Sequence, residues 1–429
     1  MVKNKILKDK VKPSYKTFCY ISLIVAFNTI TGCSTFGPLS LEQTRLQYNE
    51  TVKATTEQQL LLNIVRLRYT DTPSSLAVSA IAAQFERSQS FALIPFFVAG
   101  SDNNARLTNL LPQAQVSGAD RPTFSLTPLD DQEFTRKLFT PIPLDGIIYL
   151  TKTTWPISTV FRLYLENLNW VSNAQSASGP TPTEAPIYED FLTGIKALQT
   201  LQDRGDIVFS IEDKEEIIGS ELALNQVKAT DLLDAAKNGY EYKLNKVGTK
   251  WSLLKKTAQP VLLVNPQSLT SAEMLSAQKL FHLQQGLTKY IITQEALNPF
   301  ASTYPADGVA NIDLETRSLL QAMYFVSQGI DIPAIHESQG LVTITHDNAG
   351  AKFNWQQVTS GLFHVKSSTA TVKPVNAHVA VQYKGCWFYI DDTDQATKST
   401  FSLLMELSRL ELISKSDSGP ILTLPVGSH

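Results

Sequence analysis

Cysteine, histidine and clustered aspartate are the residues in this chain that could do chemistry. Cys386 comes first, with His378 shortly before it, because a thiol next to a base can become a nucleophile. Lys384-Gly385 reads as a two-residue turn between Val379–Tyr383 and Cys386–Ile390. That turn sets Tyr383 opposite Cys386 and His378 opposite Asp391. Alternation then groups Cys386 with Val379, Val381, Phe388 and Ile390, and His378 with Trp387 and Tyr389 on the other face. Cys386 therefore reads as a small core residue. His378 and Asp391 read as a cross-strand polar pair that, inside a cleft, would orient an imidazole as a base. His336-Glu337 starts like a zinc-protease helix, but Gly340 stands where the second histidine is needed, so a loop is expected there. His346-Asp347 and His364 lack a second ligand at a useful spacing. Asp391-Asp392-Thr393-Asp394 lacks the glycine and closing glutamate of a calcium loop and reads as capping for the helix after it. Gly-x-Ser-x-Gly, Walker-type and dinucleotide motifs are missing. No catalytic, cofactor or metal role is assigned to any residue.

One residue does carry an expected chemistry. Ile30-Thr31-Gly32-Cys33 follows a basic segment (Lys3, Lys5, Lys8, Lys10, Lys12, Lys16) and a short apolar one, Phe18 to Phe27. This order resembles a bacterial lipoprotein signal peptide, the apolar part being too short for a comfortable membrane span. The resemblance implies removal of residues 1–32 and lipidation of Cys33, including a palmitate-type acyl chain, at the new N-terminus. The alternative is a retained N-terminal anchor. Two acyl chains hold a protein at a bilayer where one holds it marginally. Ser34 resembles the residue that sorts such proteins to the outer membrane, which would leave the body in the periplasm. Of three cysteines, Cys19 would leave with the signal and Cys33 would be blocked. Cys386 would remain without a disulfide partner, which a chain long enough to bury a large core tolerates.

The chain has 429 residues, 43% apolar and 18% charged, enough for two or three compact units. Loss of six lysines and one aspartate with the signal takes the formal charge from −3 to −8. A body this acidic is a poor partner for nucleic acid or anionic lipid.

The elements that must position these residues read as follows. Residues 33–54 form a polar tether that turns helical towards its end. Thr55 with Gln58 and Thr56 with Gln59 offer capping boxes for a helix whose face is Leu60, Leu61, Ile64, Val65 and Leu67, with Arg66 and Arg68 pointing away from most of it. Leu76 to Val98 fits strand or helix, and paired strands with Ala105 to Leu126 are the reading taken. Asp130 to Phe139 is a helix. Thr154 caps another helix that carries Ile157 to Leu168, and a Ser/Gly/Pro/Thr-rich loop, 174–186, precedes the helix Tyr188 to Leu201. Asp206 to Ile211, Tyr240 to Leu244, Lys250 to Leu254, Val261 to Val264 and Tyr290 to Ile292 read as strands. Helices are expected from Thr230, from Thr270 (boxed with Glu273) and from Asp313 as caps. Val342 to Thr345, Leu362 to Val365 and Ile421 to Leu424 read as strands, and Lys398 to Leu412 as a buried helix.

These elements make an α+β fold, with antiparallel hairpins and packed helices behind the signal peptide. The expected divisions are 1–32, the tether 33–54, a helix and long-hairpin region 55–186, and a mixed region 187–429. Leu60–Tyr69 (LLLNIVRLRY), Phe139–Leu144, Trp387–Asp392 (WFYIDD) and Leu422–Gly427 (LTLPVG) resemble stretches of uncharacterised proteobacterial envelope lipoproteins. That resemblance implies a shared fold but transfers no activity and no functional residue. The expectation is a non-enzymatic, outer-membrane-anchored protein that binds or scaffolds envelope proteins. The alternatives are a periplasmic enzyme on an envelope polymer, using His378 and Asp391, and a subunit of an oligomeric envelope ring or pore built on Leu76–Leu126.

Overall fold

Threonines placed one turn apart lie inside the first helix and do not start it. The computed structural model describes residues 36–74, 76–82, 85–99, 105–120, 123–128, 132–153, 155–294 and 308–412. A single helix spans Phe36–Arg68. The hydroxyls of Thr51, Thr55 and Thr56 donate back to the carbonyls of Gln47, Thr51 and Val52. They are interior residues bonding to the preceding turn, not caps. The expected 33–54 tether is thus helical from Phe36 onward. Leu60, Leu61, Ile64, Val65 and Leu67 are buried as their spacing implied, but Arg68 is buried with them. Cys33 and the 1–32 signal lie outside the described residues, as does Ile421–Leu424.

Contacts divide the chain into two compact units: Met1–Thr56 with Leu76–Pro128, and Glu57–Ser75 with Leu129–His429. In the first, β1 (Leu76–Ala82) pairs antiparallel with β4 (Thr123–Pro128), and β2 (Phe85–Ala99) with β3 (Ala105–Asp120). The paired-strand reading of Leu76–Leu126 thus prevails over the helical one. Pairing runs from Phe85↔Asp120 to Ala99↔Ala105 with one shift at Phe96/Phe97. Both prolines of the ladder, in Pro95↔Leu110 and Leu93↔Pro112, fall on pairs of the same parity. Proline has no N–H to give, so these are the positions whose N–H would point outward from the pair. Among the described residues, no helix is long and apolar enough to cross a membrane.

The second unit is an α+β body. Its larger sheet joins β5 (Leu165–Leu168), β6 (Val171–Ser172), β7 (Ile207–Ala223), β8 (Tyr240–Leu244), β9 (Lys250–Val264), β10 (Lys289–Thr293) and β11 (Asn311–Thr316). The order is β6-β5-β11-β10-β9-β7, with β8 also beside β9, and only β10–β11 is parallel. A second sheet has the order β12-β14-β13, from Lys366–Ser368, Cys386–Asp391 and Ala377–Tyr383. Tyr164, Phe161, Phe191, Phe281, Phe325 and Phe388 are fully buried in one continuous core. The helix Glu189–Asp203 comes so close to Phe281 at Gly194 that an added Cβ would lie 2.5 Å from the ring.

Several boundaries differ from expectation for local reasons. The helix at Ile157 stops at Tyr164, because Leu165 turns extended and Leu165–Leu168 pairs with β11. Ser271, not Thr270, caps Ala272–Leu280 by accepting from Met274 N. Asp313 lies within β11, and the cap is Ser318 in a reciprocal box with Gln321. Val342–Thr345 and Leu362–Val365 are not strands; β12 begins at Lys366. The loop 174–186, which composition marks as a seam, is packed inside the second unit. Ala174 and Ala177 are buried, Ala185 N donates to His346 O, and His346 N donates to Thr183 O.

Candidate functional site

The hairpin that carries Cys386 turns at Lys384-Gly385, both at positive φ (44° and 81°), and Tyr383 faces Cys386 as its sequence implies. The ladder slips at its far end. Ala377 pairs with Asp391 and Val379 with Ile390, so His378 occupies the irregularity and does not face Asp391. The Asp391 carboxylate accepts from Lys366 Nζ at 2.9 Å and from Thr393. The Lys366 bond, followed by those from Thr393, holds its pKa well below the usual carboxylate range. His378 Nδ1 lies 3.6 Å from Asp392 Oδ1 instead. The pair expected as a possible base is not assembled.

A different histidine reaches the thiol. His336 sits on the one-turn helix Ala334–Ser338, where a loop was expected, and is 3% exposed. Its Nε2 lies 3.6 Å from Cys386 Sγ and 3.1 Å from the Lys384 carbonyl oxygen. Its Nδ1 lies 2.7 Å from Tyr69 Oη. A carbonyl only accepts, so Nε2 carries the proton and donates to Lys384, which leaves Nδ1 to accept from the phenol. The Cys386 sulfur thus meets an N–H, not a lone pair, and no base is poised to remove its proton. Cys386 and Tyr69 are buried as well. Burial first, and the neighbouring Cys386 next, push the Tyr69 phenol upward, so it stays a neutral donor.

Tyr69 is placed by the way its helix ends. Thr70, at φ 59°, takes the left-handed position, Thr70 N donates to Leu67 O, and Asp71 N donates to Arg66 O. This is the Schellman arrangement, with threonine where glycine is usual. It turns Tyr69 edge-on to Tyr383 at 5.2 Å and to Phe388 at 6.0 Å between ring centroids. Asp71 accepts from the Tyr383 hydroxyl, and its carboxylate lies 3.7 Å from Lys384 Nζ. Three distant segments are pinned together here: the end of the first helix, the turn at His336 and the Cys386 hairpin. Tyr69 and His336 are 267 positions apart, so no local spacing could have found the pair.

Three arginines organise the interior, Arg317 and Arg68 buried and Arg162 half-buried. Arg317 is fully buried and donates through Nε to Ser178 Oγ (2.9 Å), through Nη1 to the carbonyls of Arg162 (2.9 Å) and Leu163 (3.2 Å), and through Nη2 to Asn173 O (2.6 Å). Its guanidinium lies 3.9 Å from the centre of the Phe325 ring. Burial pulls its pKa down to about 9, which still leaves it charged at neutral pH. Arg68 donates to Thr181 Oγ1 at 2.8 Å and Thr343 O at 3.3 Å. Arg162 donates to the carbonyls of Val358 and Ser360. These arginines hold loops by capping carbonyls.

The remaining candidates are dispersed. His364 Nε2 is 2.9 Å from Asp331 Oδ2, and Asp394 accepts from Thr397 N and Oγ1 at the start of the helix Gln395–Leu412. Among the described residues, no group of three His, Cys, Asp or Glu is arranged to hold a metal. A shallow cleft of about 480 Å³ lies elsewhere, at Ser172, Gln175, Thr183, Glu184 and Ile187, away from the Tyr69–His336–Cys386 cluster. Comparison with family models, with curated proteins and with solved structures finds no match for the chain.

Proposed function

We propose that this chain is a lipoprotein of the bacterial outer membrane, anchored through lipidated Cys33 with its body in the periplasm, and that it binds and scaffolds other envelope proteins without catalysis. The observation that carries this reading is the β2–β3 ladder. Among the described residues β2 and β3 pair only with each other, which leaves two long outer edges of backbone donors and acceptors. A lone two-stranded ribbon is marginal in water, and open edges of this length are a template for added strands. The signal-like start, the resemblance to envelope lipoproteins and the acidic body support the same reading.

The enzyme alternative loses its proposed pair, because Asp391 is held by Lys366 and His378 lies nearer Asp392. Photo-crosslinking residues placed at Gln89 and Gln115 of the full-length protein in intact cells test the scaffold reading. Discrete adducts with envelope proteins, lost when Cys33→Ala releases the chain from the membrane, are expected. Recovery of no adduct together with turnover of an envelope polymer by the purified protein would overturn it.

A further inference from the structure

The register of β2 and β3 sorts their residues by face. Directly paired positions share a face and successive pairs alternate. One face carries the pairs Phe91/Ala114, Leu93/Pro112, Pro95/Leu110, Phe97/Leu107 and Ala99/Ala105. No position in that series is polar. The opposite face carries Ser90/Gln115, Ala92/Gln113, Phe96/Asn109 and Val98/Arg106, with a single wholly apolar pair, Ile94/Leu111. A ribbon lying on a water-soluble core needs one apolar face, but it then needs cover for that face and partners for both edges. Neither edge has a strand partner among the described residues.

The length of the apolar series matches one solvent in particular. Phe91 to Ala99 covers roughly 26 Å at about 3.3 Å per residue. That is close to the strand of about 9–11 residues that crosses a bilayer at the tilt of a barrel. A wholly apolar outer face against a more polar inner one is the pattern of a transmembrane β-barrel wall. Here β3 supplies the polar inner positions Arg106, Asn109, Gln113 and Gln115, while β2 from Phe91 to Ala99 is apolar on both faces. Hydrocarbon tolerates no open sheet edge, so a two-stranded ribbon can lie there only as part of a closed barrel. One ribbon brings two antiparallel strands, so any number of identical ribbons closes on an even strand count.

From this the geometry points to a membrane-inserted barrel formed by ribbons from several copies of this chain. The face of Phe91, Leu93, Phe97, Leu107 and Leu110 meets lipid, and the face of Asn109, Gln113 and Arg106 lines an aqueous lumen. Pro95 and Pro112 each remove one donor from an outer edge, so the seams between copies skip a bond there. This inference rests on the reading of the chain as a membrane-anchored envelope protein, and it names the partner of the ribbon as a second copy.

The test uses the full-length lipidated protein in liposomes of outer-membrane phospholipid. Single cysteines at positions 91, 92, 93, 97, 109, 110 and 113, in a Cys386→Ser background, carry an environment-sensitive fluorophore. Quenching by a lipid-borne spin label at 91, 93, 97 and 110, and by aqueous iodide at 92, 109 and 113, is the expected period-two result. Size in mild detergent is expected to exceed that of a monomer several-fold. If Cys386→Ser fails to fold, Leu107→Lys and Asn109→Lys in the native background replace it. Release of a liposome-entrapped dye should then be lost with the first and kept with the second. Iodide quenching at every position, or equal loss with both lysines, in a protein that still floats with the liposomes overturns the barrel and leaves the anchored scaffold standing. A lipidated chain that does not associate with membranes overturns both.

Discussion

Tyr69 Oη donates to His336 Nδ1 at 2.7 Å, in the tautomer that the Lys384 carbonyl sets for the one imidazole that, among the described residues, contacts the Cys386 thiol. Tyr69→Phe keeps the ring contacts with Tyr383 and Phe388 but strands a buried acceptor. The expected cost is about 1–3 kcal/mol. In urea unfolding, Tyr69→Phe and His336→Ala should lose less together than the sum of their separate losses, by roughly 0.5–3 kcal/mol. Additive losses would mean that the bond carries no coupling.

Arg317 makes a stronger demand, because four acceptors depend on one buried guanidinium. Arg317→Met fills much of the volume and leaves those acceptors without a donor, at an expected cost of about 3 kcal/mol or more. Arg317→Lys should rescue little, since an ammonium is a point donor that cannot span the same fork of carbonyls. Near-native unfolding midpoints for both variants would contradict this role.

His364 should make stability depend on pH near neutrality. Its bond to Asp331 raises its pKa above the ordinary value, against the opposing effects of burial and Lys366. A group raised in the folded state stabilises fully below its unfolded value of about 6.5, and that stabilisation fades as pH rises through the folded value. The unfolding midpoint of the parent should therefore fall, relative to Asp331→Asn, between mildly acidic and mildly alkaline pH. Parallel pH profiles for the two proteins would remove His364 as the cause.

Thr70 is a β-branched residue at φ 59°, in a position that glycine fills without strain. Thr70→Gly is expected to stabilise by about 1 kcal/mol, read as a higher unfolding midpoint. Thr70→Val should not gain, because it keeps the branched Cβ that opposes this conformation. A loss with glycine would show that the hydroxyl matters more than the backbone.

How much of this was legible in the sequence depends on the range of each interaction. The Cys386 hairpin was readable because Lys384-Gly385 and the flanking alternation are local, and so was the α+β class. The slip at His378 was not, since nothing in the spacing marks an extra residue in the ladder. The cap at Ser271 was displaced by one position from Thr270, which is chemically as suitable, and the cap at Ser318 by five from Asp313, which β11 takes up. Arg68 sits on a polar stripe of its helix by periodicity, yet Thr181 and Thr343 draw it into the core. Tyr69, His336 and Arg317 acquire their roles only from partners far along the chain, which one sequence read without structure does not bring together.

Cys386 gives the last and simplest prediction. The thiol is buried, and the imidazole beside it offers a proton instead of taking one. A reactive thiol is one that a reagent can reach and a base can deprotonate, and here burial and the facing N–H oppose both. An aromatic disulfide reagent should therefore leave Cys386 unmodified over minutes in the folded protein and label it after unfolding in guanidinium. Cys386→Ala should keep the hairpin and lose only a small side chain's packing. Rapid labelling of the native protein at Cys386, faster at higher pH and abolished by His336→Ala, would instead reveal an activated thiol–imidazole pair and return the chain to the enzymes.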